Sequence, residues 1–315
     1  MRDVWIDTDP AIGVPKCDVD DGLALIQAFH SPELCIRGVS AVFGNAPLSK
    51  AFPIAREIVE RFGPPGLSVY AGASAATDLG RSTDATRALA SALEERRTTI
   101  LALGPVTNVA TLLQQRPELA SRIESIVVVA ARRPGQRFFS CESQPIPFPD
   151  FNFECDPDGM RVLLDSPPPL VFAPWELSSH VWITGEDLDR LARESASGTY
   201  VAESARSWLA LWETDLQAPG FNPFDTLAVG VLTHPDWVEG FDARVWIEEG
   251  APDRPAVEAD GAAAPRLEER KPYLVADASG LDRPGARPAR YCFRPRTAFK
   301  EMLLERLARE APGRS

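Results

Sequence analysis

The stretch "DTDPAIGVPKCDVDDGLAL", Asp7 to Leu25, decides how the fold is read. It leaves the apolar run Val4-Trp5-Ile6, which reads as a first strand, and closes into a helical pattern from Asp21 to His30. Two acidic clusters, Asp7/Asp9 and Asp18/Asp20/Asp21, flank a loop carrying Gly13 and Pro15. Residues two apart on an extended chain face the same way, so Asp7 and Asp9 share a side. They fall beyond the carboxyl end of a strand, where open α/β sheets build ligand sites. Asp20 and Asp21 open the helix, whose N-terminal dipole favours anions. Capping explains a lone Asp before a helix, but not the whole group. Two carboxylates about 4 Å apart repel by about 4 kcal/mol at an effective dielectric of about 20. A divalent cation relieves that repulsion. An all-oxygen ligand set, with no His or Cys pair nearby, favours Ca²⁺ or Mg²⁺ over zinc.

Outward from this stretch, short apolar runs alternate with helical patterns. "CIRGVSAVFG", "TILALG", "RIESIVVVA" and "PPLVFAP" read as strands; "LSKAFPIAREIVERFG", "PVTNVATLLQQRP" and "CDPDGMRVLLDS" read as helices between them. That alternation predicts an α/β fold, an open, mainly parallel β-sheet flanked by helices. Residues 185–217 and "FDTLAVGVLTHP" continue as helix, and "ARVWIEEG", "KPYLVADA" and "ARYCFRP" read as late strands before a terminal helix from Arg296. Residues 256–270 read as an exposed connection. No linker divides the chain, so residues 1–315 are expected to form one domain.

The net charge of −12 argues against a nucleic-acid partner, because phosphate binding needs a basic face. No apolar run approaches the length of a membrane helix. The opening "MRDVWIDTDP" shows no basic-then-apolar leader, and five scattered cysteines suit reduced thiols. A cytoplasmic setting is the expectation.

The ordered segments resemble one family. "DTDP…DDGLAL", "AVFGNAPL", "LALGPVTNVA", "DFNFECDPDGM" and "FDTLAV" are similar, in order, to the signature segments of the inosine/uridine-preferring nucleoside hydrolases. The resemblance implies a Rossmann-like nucleoside hydrolase fold and a Ca²⁺-dependent hydrolase of a ribonucleoside or related N-riboside, releasing ribose and free base. Carried over by position, it makes Asp9 a metal ligand and the base that activates a metal-bound water. Asp21, Asp225 and the backbone carbonyl of Thr107 would complete the metal's ligands, with Asp7 supporting them. Asp20 and Asn152 would hold ribose hydroxyls, Asn45 would lie close to the sugar, and Asp150 would stand where the family has a longer Glu. A small-molecule nucleoside is the implied partner, and a homodimer or tetramer the implied assembly. The chemistry is consistent: N-glycosidic cleavage builds positive charge on the sugar, which nearby carboxylates stabilise.

The chain departs from the family pattern around the nucleobase. Nine residues, Ala11 to Val19, stand where relatives have two. The longer loop costs little in closure entropy, and whether it covers the ribose is open in the sequence. Asp18 is assigned to this insertion rather than to the site. Phe224 stands where many relatives have a His that serves as acid for the leaving base, and His30, His180 and His234 do not match that position. The upstream Asn of the family corresponds to Gln144 or Ser143, and a His-Gly segment is missing. Trp208 and Trp212, four apart on a helix, are candidates to face the base, with core packing as the plainer reading. Cys17 reads as an incidental loop cysteine without a His partner. A leaving group that needs no protein acid is expected to fit better than a common purine nucleoside. The alternative is a non-catalytic binder that keeps the calcium and ribose sites but has lost turnover. Phosphoryl transfer on a DxD motif is disfavoured because Pro10-Ala11 follows Asp9 where that chemistry uses Gly-Thr.

Overall fold

The computed structural model describes residues 1–253, 270–279 and 285–310. β1 (Arg2–Thr8) is buried from Val4 onward, so both faces of the strand are covered; its centre is the apolar run Val4-Trp5-Ile6, and Asp7 and Thr8 carry polar groups into the interior. A turn region then leads to α1 (Asp20–Phe29), every residue of which is buried. A helix apolar on all sides belongs inside a protein rather than on its surface. β2 (Leu34–Ala41), α2 (Leu48–Phe62), β3 (Val69–Ala71), α3 (Asp84–Glu95), β4 (Thr98–Ala102), α4 (Thr107–Gln115) and β5 (Ile123–Val128) follow. Next come α5 (Phe151–Cys155), α6 (Pro157–Asp165), β6 (Leu170–Phe172), α7 (Trp175–Ser178), α8 (Gly185–Glu194), α9 (Ala196–Asp215) and α10 (Thr226–Thr233). The chain closes with β7 (Val238–Gly250), β8 (Lys271–Asp277), β9 (Arg287–Pro295) and α11 (Phe299–Leu307).

The described strands form one sheet in the order β3-β2-β1-β4-β5-β6-β9-β7-β8. Pairings from β3 through to β9 are parallel, and β7 is antiparallel to both β8 and β9. The expected mainly parallel sheet is therefore present, with an antiparallel end. After β1 the chain moves outward through β2 and β3, then returns to place β4 on the other side of β1. This reversal leaves a crevice beyond the carboxyl ends of β1 and β4.

Two long sequence patterns resolve into pairs of helices. Residues 185–217 break at Ser195, whose hydroxyl accepts the Gly198 N–H and caps α9. The 155–166 pattern is preceded by the short α5, and Asp156 caps α6 through Gly159. The edge strand β3 is too short for an apolar run to announce it. Except for Arg270, the connection expected over residues 256–270 lies outside the described residues.

The insertion between β1 and α1 is anchored. Ile12 is 3% exposed and packs on α1 where Gly22 leaves room; a Cβ on Gly22 would stand 2.6 Å from an Ile12 methyl. Gly13 and Lys16 take left-handed backbone conformations, and N–H donations from Val14 to Ala11 and from Cys17 to Val14 fold the loop back. Truncating Ile12→Ala should lower unfolding free energy by about 2 kcal/mol in urea denaturation. A change under about 0.5 kcal/mol would show that the loop contributes no packing.

Candidate active site

At the crevice, β1 delivers Asp7 and Asp9, α1 opens with Asp20 and Asp21, the β2–α2 turn supplies Asn45, and Asp225 precedes α10. All five aspartates are buried. Asp7 is held by hydroxyl donation from Ser40 and by the Asn108 side-chain amide at 2.8 Å. Asp21 Oδ1 accepts the Asp9 N–H at 3.0 Å and the Thr8 hydroxyl, while its Oδ2 accepts from the Asn45 side chain at 3.2 Å. The Asn45 N–H donates to Asp9 Oδ2 at 2.6 Å.

Two glycines make room for the Asp9 carboxylate. A Cβ on Gly44 would lie 1.9 Å from Asp9 Oδ2, and one on Gly104 would lie 2.6 Å from Oδ1. Gly44 also has φ +156°, which a side chain disfavours. The fit leaves Asp9 Oδ1 without a hydrogen-bond partner, together with Asp7 Oδ2 and Asp225 Oδ2. Buried carboxylate oxygens left unpartnered are costly. Asp20, Asp21 and Asp225 each offer an oxygen within 4.8 Å of the others. Those orphaned oxygens and the all-carboxylate donor set fit a hard divalent cation.

Burial raises the pKa of every carboxyl in the group. Asp7 is pushed up to about 7, against the opposing hydrogen bonds from Ser40 and Asn108. Asp9, Asp20 and Asp225 rise well above the usual range, from burial first and then from mutual repulsion. Asp18, expected to stand apart in the insertion, is drawn into the group. It accepts the Val19 and Asp20 N–H groups at 2.7 and 3.3 Å, and burial pushes its pKa up to about 7.

A cavity of about 380 Å³ opens over these carboxyls. Its lining includes Asp18, Asp20, Asn45, Asp150, Asn152 and Asp225. The insertion contributes Lys16 and Cys17 as well, so it forms part of the wall. Asn152 directs its amide to the carbonyls of Leu103 and Val129. Asp150 Oδ2 accepts the Ala131 N–H at 2.9 Å, and burial pushes its pKa up to about 7 against the pull of Arg132. Thr107 is buried at the start of α4 with its hydroxyl donating to Asp156.

The remaining wall is aromatic. Phe138, Phe148, Phe151, Trp175, Trp208 and Phe224 line it, and Phe138 stacks on Trp175 at 4.9 Å. Trp212 does not line it. Fully buried, that residue packs behind Phe148 and Phe224 at 5.3 and 6.1 Å, because its position on α9 faces the core. Behind Phe138, the Arg132 guanidinium lies 4.4 Å over the ring and joins a buried quartet. Arg132 pairs with Asp253 and Glu154, and Lys271 pairs with the same two carboxylates. None of the three histidines lines the cavity.

The site geometry agrees with comparison against known proteins. A family model described as inosine-uridine preferring nucleoside hydrolase matches residues 4–282. The chain belongs to that family. As a nucleoside hydrolase it is an N-glycosyl hydrolase acting on small-molecule nucleosides. An uncharacterized protein of Schizosaccharomyces pombe is 27% identical over 78% of this chain and 84% of its own length. A probable uridine nucleosidase of Oryza sativa is 25% identical over 74% and 76%. Among solved structures, the plant nucleoside hydrolase PpNRh1 superposes with a TM-score of 0.78 at 21% identity, covering 99% of both chains. A purine-preferring ribonucleoside hydrolase from Gardnerella vaginalis gives 0.74 at 18%, covering 98% of both. No helix among the described residues is long and apolar enough to cross a membrane.

Sequence reading left several of this nucleoside hydrolase's site residues without a role. Asn108 and both cradle glycines sit inside segments that carry the family pattern, so a signal was present. Phe138 comes from a loop and Trp175 from the start of the short α7, neither with a motif, and only packing brings them to the cavity.

Two outcomes follow from the carboxyl cluster. With pKa values raised in the fold, these groups hold protons that the unfolded chain has released. Their contribution is full below about pH 4 and is lost as pH rises through about 7. Chelated protein should therefore melt lower at pH 8 than at pH 5.5, and a saturating divalent cation should flatten that dependence. A melting temperature that rises over this interval in chelator would contradict the argument. Gly44→Ala displaces Asp9 and should reduce turnover about 10²-fold; a rate within threefold of the parent would show that the carboxylate position is slack.

Proposed function

We propose that this chain is a calcium-dependent ribonucleoside hydrolase in which Asp9 is the general base. The observation that carries the reading is the buried Asp9 Oδ1, which has no hydrogen-bond partner, on a residue whose N–H is tied to Asp21, itself grouped with Asp20 and Asp225. Asp21 and Asp225, with Asp9 and the Thr107 carbonyl, would hold the ion, and Asp20 stands close enough to share in it. When bound, the ion would supply a lowered pKa for water and a grip on vicinal hydroxyls.

The chain's own residues account for the remaining steps. Asp9 takes the proton of the attacking water, and its fixed carboxylate needs no reorientation to do so. Asp20, Asn45 and Asn152 bind the ribose hydroxyls, and Asp150 stands at the 5′ side. As the C1′–N bond breaks, its electron pair leaves with the base and positive charge grows on the sugar. The ring of carboxylates favours that charge more than it favours the neutral substrate, which lowers the barrier. Asp7, bound by Ser40 and Asn108, fixes the strand end that carries Asp9. Trp208 and Phe224 line the cavity where the base would lie.

Asp9→Asn preserves shape and removes the base. Ribose release from uridine should fall by 10²- to 10⁴-fold, by the usual worth of a general base, while calcium still raises the melting temperature. Parent-like rates in that variant, or activity that survives exhaustive chelation, would remove the mechanism. Calcium binding without release of ribose from any N-riboside would identify a binder instead.

A further inference from the structure

Three properties meet where the departing base must sit. Carbon rings dominate the wall, with Phe138, Phe148, Phe151, Trp175, Trp208 and Phe224 all lining the cavity. Its polar lining is acidic: Asp18, Asp20, Asp150 and Asp225 face one ammonium group, that of the exposed Lys16. Among the described lining residues there is no histidine or tyrosine, and Phe224 contributes only a carbon ring.

Each property disfavours a neutral nucleobase. A uracil or hypoxanthine ring becomes negative as its bond to C1′ breaks. It needs a proton at that moment, and among the described lining residues no ring donor is there to give one. The Cys17 thiol at the wall does not supply that proton readily, since burial raises its pKa. A positively charged ring reverses all three relations. It enters an acidic cavity favourably, it rests on aromatic faces, and it departs neutral with no proton delivered.

We propose that the preferred substrate is a cationic N-riboside, whose leaving group is a quaternised nitrogen heteroaromatic such as a pyridinium or an N7-alkylated purine. This rests on the N-ribohydrolase reading given above. The step balances without a further reactant. The C1′–N bond breaks, and its electron pair neutralises the ring nitrogen. The water oxygen bonds to C1′, its proton passes to Asp9, and ribose and a neutral heteroaromatic leave. Positive charge thus migrates from the aromatic wall to the sugar, and both ends of that path lie among carboxylates. Because the rings act on the charged substrate before the bond breaks, their contribution belongs mainly in KM.

The test is a comparison of ribofuranosylpyridinium and N7-methylguanosine with guanosine and uridine, measuring ribose release by the calcium-loaded protein after subtraction of spontaneous cleavage. The two cations should show kcat/KM about 10²-fold above the neutral pair. Trp208→Leu and Phe138→Leu should each raise KM for the cations about tenfold, the range a cation–ring contact commands, and raise KM for uridine by less than about threefold. Neutral nucleosides cleaved as well as the cations would overturn the substrate class and leave the hydrolase reading standing. Cleavage of none of the four would overturn the hydrolase reading itself. Unchanged KM for the cations in both leucine variants, each shown folded by its melting curve, would overturn the role of the rings.

Discussion

Mutual repulsion among buried carboxylates is the constraint around which this molecule is organised. Asp9, Asp20, Asp21 and Asp225 would separate if the backbone allowed it, and the fold prevents that at each point. Asp9 and Asp21 are tied through a backbone N–H, Asn45 bridges the two side chains, and glycines at 44 and 104 leave no alternative space. Asp7 is clamped from β2 and α4. The reversal of strand order makes this convergence available, because it brings the ends of β1 and β4 to one crevice. Charge that is unfavourable for folding is thereby held together at one crevice.

The insertion forms part of the wall above that centre. Ile12 is buried against α1 while Lys16, Cys17 and Asp18 reach the cavity, so a single loop both packs below and lines above. Loop length is cheap in closure entropy; an apolar anchor gives the added residues one arrangement.

Much of this was legible in the sequence for identifiable reasons. The alternation of apolar runs and helical patterns gave the parallel sheet, since strands buried on both faces must be apolar throughout. Asp7, Asp9, Asp20, Asp21, Asn45, Asp150, Asn152 and Asp225 all come together because each lies at the end of an element that the sheet directs to one edge. Reading failed where neighbours are set by packing alone. Trp208 and Trp212 are indistinguishable by spacing, yet one borders the cavity and the other supports it from behind. Phe138 belongs to a loop and Trp175 to the first turn of α7, and no periodicity relates them. Asp18 looked like part of a spacer because its role depends on where the loop returns.

The quartet of Arg132, Lys271, Glu154 and Asp253 has an electrical consequence. Each of the two cations pairs with both carboxylates, so the group behaves as a multipole whose field decays faster than that of a single charge. The arginine that braces Phe138 from behind therefore pulls on the cavity's Asp150 only partly, because Glu154 beside it pushes the other way. The charges at the rear of the wall act on Asp150 in opposite senses, so much of their effect there cancels. Removing either carboxylate partner would turn a mechanical brace into a source of positive field.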